Sequence, residues 1–220
     1  MNAEVSKALT ECGTTIPELR ARFAQGFSFS HLDFESQLSI WHEVYSTAKS
    51  PLEQRFPYFF LEGQLKYNSL YRRLWEVSCA WQEFVDDWSN CDGLAKVNTK
   101  VLEYYPELVL PVLQSWNTSG NLWKRRQSVV SLLYFQRTKK IFLPFEQIAA
   151  MVFPLLGDAE YYVQKGVGWC IKELYQVYPE LTFEFSKQHI GKISPLAYPI
   201  VLEKMSVEHA TAIKALRNRK

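Results

Sequence analysis

The sequence has no uninterrupted apolar run near the ~18 residues that a membrane-spanning helix needs. Its longest, Ile148 to Leu156, is broken by Pro154. The N-terminus, Met-Asn-Ala-Glu-Val-Ser, lacks a basic start followed by an apolar core, so no secretory signal is read there. Glycine is scarce, at 9 residues, and no stretch alternates with period two between hairpin turns, which excludes a turn-rich all-β chain. The four cysteines, Cys12, Cys79, Cys91 and Cys170, are scattered without a C-x-x-C. That usage fits reduced thiols in a cytoplasmic protein better than a disulfide frame or a zinc site. His31, His42, His189 and His209 form no metal-ligand pair. G-x-x-x-x-G-K, G-x-G-x-x-G and G-x-S-x-G are all missing, so neither a phosphate-cradling loop nor a nucleophile elbow is expected. Cys91 has no nearby His to activate it, which excludes a thiol nucleophile.

What is present points to helices. The 220 residues are 47% hydrophobic and 22% charged, ordinary globular values, and no composition shift marks a seam, so residues 1–220 read as a single domain. Phe34, Leu38, Trp41, Val44, Tyr45 and Ala48 recur at spacings of three and four, as do Leu70, Leu74, Val77, Trp81, Phe84 and Val85; each set is one buried helical stripe. Thr15-Ile16-Pro17-Glu18 and Ser50-Pro51-Leu52-Glu53 read as capping boxes, and Gly26 stands where a C-terminal cap would end the first of these helices. The pattern predicts about a dozen helices of roughly 8–18 residues. Val177-Tyr178-Pro179-Glu180-Leu181 echoes Tyr104-Tyr105-Pro106-Glu107-Leu108 at an offset of 73, and Leu122 to Arg126 aligns with Tyr161 to Lys165 at 39. Units of ~40 residues with low mutual identity suggest an all-α, curved α-solenoid of HEAT- or ARM-like repeats.

Charge is uneven along the chain. Residues 1–110 carry 10 Lys and Arg against 15 Asp and Glu, a net of −5, whereas residues 111–220 carry 15 against 8, a net of +7. A basic half suits a polyanionic partner, although chance partition of surface charge gives the same count. Three local patterns each admit two readings. Trp88 and Asp92, at i and i+4, share one face if the segment is helical; otherwise Asp92 is the N-cap of a helix starting at Gly93 and Trp88 a core aromatic. Lys124-Arg125-Arg126, at a helix start where positive charge is disfavoured, is a solvated face or a phosphate-facing patch. Between Ala159 and Tyr178 the core stripe is Val163, Val167, Cys170, Leu174 and Val177, which leaves Trp169 on a second stripe with Tyr162, Lys165, Lys172 and Gln176. That stripe lines a groove or packs against the next repeat.

Four blocks occur in order: Trp88-x-x-x-Asp92, Leu122-Trp123-x-x-Arg126, Tyr161-Tyr162-Val163-Gln164-Lys165-Gly166-Val167-Gly168-Trp169, and Ile193-Ser194-Pro195-Leu196. Together they resemble the AlkD-like DNA alkylation repair family, HEAT-like-repeat DNA glycosylases that remove cationic N3- and N7-alkylated purines. The resemblance spans roughly residues 14–205. It implies a concave cationic cleft, catalytic roles for Asp92, Trp88 and Trp169, and a DNA-holding role for Arg126, joined on the basic half by Lys124, Arg125, Lys165 and Lys172. The implied partner is double-stranded DNA with alkylated bases, met by a cytoplasmic monomer using no cofactor, metal or membrane. The chain departs from the family pattern in four places. Only 13 residues precede Thr14, where members carry additional helices; Lys172 stands for a usual Arg; Tyr198 and Pro199 follow Ser194-Pro195-Leu196 where Arg is common; and Ser89, rather than an acidic residue, follows Trp88. These departures frame a second reading, a non-catalytic HEAT-repeat relative that binds DNA or protein.

Overall fold

A computed structural model describes residues 2–134 and 136–218. Among them are thirteen α-helices, four short 3-10 turns and no strand. None of these helices is long and apolar enough to cross a membrane. The chain divides into two compact units, one ending at Val97 and one beginning at Asn98.

The first unit holds α1 (Asn2–Glu11), α2 (Ile16–Ala24), α3 (Phe34–Thr47), α4 (Arg55–Gln64), α5 (Tyr71–Trp81) and the opening of α6 (Trp88–Tyr104). The two expected stripes are its core. Leu38, Trp41, Val44 and Tyr45 of α3 are buried, as are Leu74, Val77 and Trp81 of α5. Phe84, placed at the end of the second stripe, is instead exposed, because α5 stops at Trp81 and a 3-10 turn changes the phase. Trp41 meets Phe27 and Phe29 edge-on at 5.1 and 5.0 Å, and Tyr45 stacks on Trp81 at 4.2 Å. Each such ring removes ~150–250 Å² from water.

Helix boundaries follow side-chain chemistry with one correction. Thr15 and Glu18 form the expected capping box, with Pro17 at the second helical position, and Gly26 ends the segment after α2 at φ +79°, a left-handed conformation that glycine adopts without penalty. Ser50-Pro51-Leu52-Glu53 does not open a helix. Those residues form turns, Glu53 reaches back to the Lys49 N–H at 2.9 Å, and α4 begins at Arg55. Tertiary contacts override the local signal: Gln54 is buried, and its amide donates to Tyr45 O and Phe84 O.

The second unit contains the rest of α6 and then α7 (Pro106–Asn117), α8 (Leu122–Leu133), α9 (Phe145–Val152), α10 (Tyr161–Val177), α11 (Pro179–His189), α12 (Ala197–Leu202) and α13 (Val207–Arg217). The offsets seen in the sequence are structural registers. α6 and α10 are both 17 residues long and start 73 apart; α7 and α11 start 73 apart, each on a proline; α8 and α10 start 39 apart. Burial repeats in step, with Gly93, Leu94, Val97 and Val101 matching Gly166, Val167, Cys170 and Leu174. Only size and polarity must recur at these positions, so identity can be low.

α10 is the hub, packing against α8, α9, α11 and α12. Val163, Val167, Cys170 and Leu174 are fully buried as expected; Val177, at the end of the stripe, is only half-buried. The loop after α8 is fixed by Glu103, whose buried carboxylate accepts from Lys140 N at 2.8 Å, Ile141 N at 3.3 Å and Lys100 Nζ at 3.0 Å. Burial pushes this acid up, but those donors outweigh it and hold the carboxyl below the ordinary range. None of the four cysteines is in a disulfide; Cys91 and Cys170 are buried, and burial pushes the Cys79 thiol up to about 12.

Candidate functional site

Trp88 and Asp92 both lie inside α6, so i and i+4 place them side by side on one face. The cap is Asp87, whose Oδ1 accepts from Ser89 N at 2.8 Å. The N-cap reading of Asp92 is therefore overturned, and so is the core reading of Trp88, whose relative exposure is 48%. Asp92 is half-buried. The opening turn is held from α4: Arg55 Nη1 donates to Ser89 O at 3.3 Å, the Gln54 side chain bonds Asn90, and Tyr58 lies against Gly93. A backbone fixed this way gives a carboxylate a defined position beside an accessible indole.

Trp169, on α10, is half-buried and tilted against Tyr134, with ring centroids 5.6 Å apart. It belongs to neither extreme, a bare groove wall or a core residue. Trp169→Ala should cost ~1–2 kcal/mol, whereas Trp81→Ala, with its ring fully buried, should cost ~3–5 kcal/mol. Thermal melts of the two variants check this ordering.

The basic run at the start of α8 takes a third form that neither sequence reading describes. Arg125 pairs with Asp158 at 2.7 Å and also donates to Ser119 O and Gly120 O. Arg126 is 6% exposed; its Nη1 donates to Tyr162 O at 2.7 Å, and its side chain lies against Gly166, where a Cβ would sit 3.2 Å from Cγ. Arg126 thus ties α8 to α10, and Arg125 ties it to the loop that precedes α10. Lys124 is half-buried and Lys165 exposed. Lys172 stands two turns beyond Lys165 and pairs with Glu203 at 3.1 Å.

The structure also assembles a ring cluster that the sequence reading did not foresee. Trp123 and Tyr162 have centroids 5.1 Å apart, Tyr161 meets Tyr162 edge-on at 5.1 Å, and Lys165 Nζ lies 5.7 Å from the Tyr161 centroid. The 39-residue register, which pairs Trp123 with Tyr162, was the available signal. Among the described residues, no group of three or more His, Cys, Asp or Glu side chains is gathered to hold a metal ion.

Comparison with known proteins adds the family context. The model of a family described as DNA alkylation repair enzyme matches residues 6–205. A predicted DNA alkylation repair enzyme from Enterococcus faecalis has a similar structure, with TM-score 0.71 and 19% identity over 89% of this chain and 88% of that one. AlkD2 from Streptococcus mutans gives TM-score 0.62 and 16% identity over 94% and 98% of the two chains. The smu.31 protein of Streptococcus mutans UA159 gives 0.59 and 15% over 99% and 98%. At these identities the likeness establishes the helical-repeat fold. No curated protein matches the chain in sequence.

Proposed function

Since the chain belongs to the DNA alkylation repair enzyme family, we propose that it is a monofunctional DNA glycosylase that excises cationic N3- and N7-alkylated purines from duplex DNA. The observation that carries this reading is the pair on α6, an exposed indole beside a carboxylate on a braced helical turn. An N-alkylated purine is positively charged, and an indole face attracts such a cation by ~0.5–2 kcal/mol. Cleavage of its N-glycosidic bond builds positive charge on the sugar, which a fixed carboxylate stabilises as it does in glycoside hydrolysis. The base departs with its charge neutralised, so no strong general acid is required. In this scheme Trp88 holds the base, Asp92 stabilises the developing cation and orients the attacking water, Trp169 keeps the catalytic role that the family resemblance implies for it, and no cofactor takes part. Lys124 and Lys165 supply phosphate contacts.

One observation favours the second reading, a non-catalytic relative that binds DNA or protein: Arg125, Arg126 and Lys172 already have partners within the protein. A base-release assay decides between them. Pure protein incubated with 7-methylguanine-containing duplex should liberate the free base, and duplex affinity should fall steeply as salt rises toward physiological strength. Binding without base release would establish the non-catalytic reading.

A further inference from the structure

The 73-residue register gives α6 and α10 equivalent openings. α6 opens with Trp88 and, one turn on, Asp92; α10 opens with Tyr161 and, one turn on, Lys165. The aromatic positions are alike, 48% and 49% exposed, but the charge beside them is reversed. An aromatic face next to a carboxylate suits a cation. An aromatic face next to an ammonium suits a neutral ring joined to an anion, which is the chemistry of a nucleotide.

The second unit elaborates that opening. Tyr162, 37% exposed, and Trp123 extend the Tyr161 surface into a run of three neighbouring rings. The rings are not loosely hung. Asn121 Oδ1 accepts from Trp123 N at 2.8 Å, Arg126 grips Tyr162 O, and the Arg125–Asp158 pair joins the opening of α8 to the loop that precedes α10. Glu160, the N-cap of α10, is exposed at this end, so Lys165 rather than the helix terminus would take a phosphate.

We infer that Trp123, Tyr161 and Tyr162 form a stacking platform for an unpaired DNA base, with its phosphate held by Lys165. In a duplex each base face is covered by its neighbours, so only a base out of the stack presents a π-surface to such rings. This subsite is separate in chemistry from the lesion-binding role proposed for Trp88 and Asp92, and its test uses undamaged DNA.

The measurement compares fluorescently labelled oligothymidylate with a tetrahydrofuran oligomer of the same length, which has the phosphates but no bases. The wild-type protein should prefer oligothymidylate by roughly 5- to 100-fold, the range for one stacked base. Tyr161→Ala and Tyr162→Ala should each erode that preference while leaving the abasic chain's affinity unchanged, and Tyr161→Phe should retain it. Lys165→Gln should weaken both oligomers alike and reduce the salt slope. Tyr161 is exposed, so its two variants carry the test if Tyr162→Ala fails to fold. Equal binding of the two oligomers by the wild type, binding of neither, or an undiminished preference in Tyr161→Ala overturns the platform. Asp92→Asn should leave the preference intact. A protein that releases no alkylated base yet keeps this preference loses the glycosylase reading and retains the platform, and the converse result does the reverse.

Discussion

Asp92→Asn should slow single-turnover release of 7-methylguanine by on the order of 10²–10³, the scale for removing one preorganised electrostatic group from a transition state. Asparagine keeps the shape and loses the charge that faces the developing sugar cation, so duplex affinity should change little while excision collapses. The structure makes the experiment clean. Asp87, not Asp92, caps α6, so no helix-cap contribution is removed, and melting should move only slightly. An Asn variant that excises at the wild-type rate would take Asp92 out of the mechanism.

Gly168→Ala should lower stability by ~1–3 kcal/mol, a melting loss of about 3–10 °C for a chain of this size. A Cβ built at Gly168 sits 2.9 Å from Ala197 O and 3.0 Å from Ala197 Cα, which are backbone atoms that cannot rotate aside. Relief requires α12 to retreat from α10 or α10 to roll, and a roll of α10 displaces the adjacent Trp169. The variant should therefore excise more slowly even where it remains folded. Gly63→Ala supplies the opposite sign: that helical glycine has nothing within 4 Å of the added methyl, so the change should stabilise by ~0.5–1 kcal/mol. A Gly168→Ala variant that melted at or above the wild-type temperature would show the close approach of α10 and α12 to be unimportant.

The fold was readable because its stripes depend on spacing alone. Leu38, Trp41 and Tyr45, or Val163, Val167 and Cys170, need only recur at helical intervals to mark a buried face. The offsets of 73 and 39 survived for the same reason. What escaped was information carried between segments. Ser50 and Glu53 have the composition of a capping box, but the buried amide of Gln54 anchors that segment to Tyr45 and Phe84. Trp41, Trp81 and Trp88 are one residue type with three neighbourhoods, and only the exact start of α6, fixed by Asp87, turns Trp88 outward. Arg126 shows the limit most plainly. A basic residue at a helix start reads as solvated or phosphate-bound, and nothing local reveals that Gly166, forty residues on, leaves room for its side chain against α10.

The sulfur atoms acquire a meaning once the family is known. The reagents that methylate purines also attack thiolates, and a thiol reacts only to the extent that it is ionised and reachable. Cys91 and Cys170 are buried, burial raises the Cys170 thiol, and Cys79 is pushed up to about 12, so at neutral pH Cys79 and Cys170 hold almost no thiolate. The packing that builds the helical core therefore also makes those two side chains poor targets for such electrophiles.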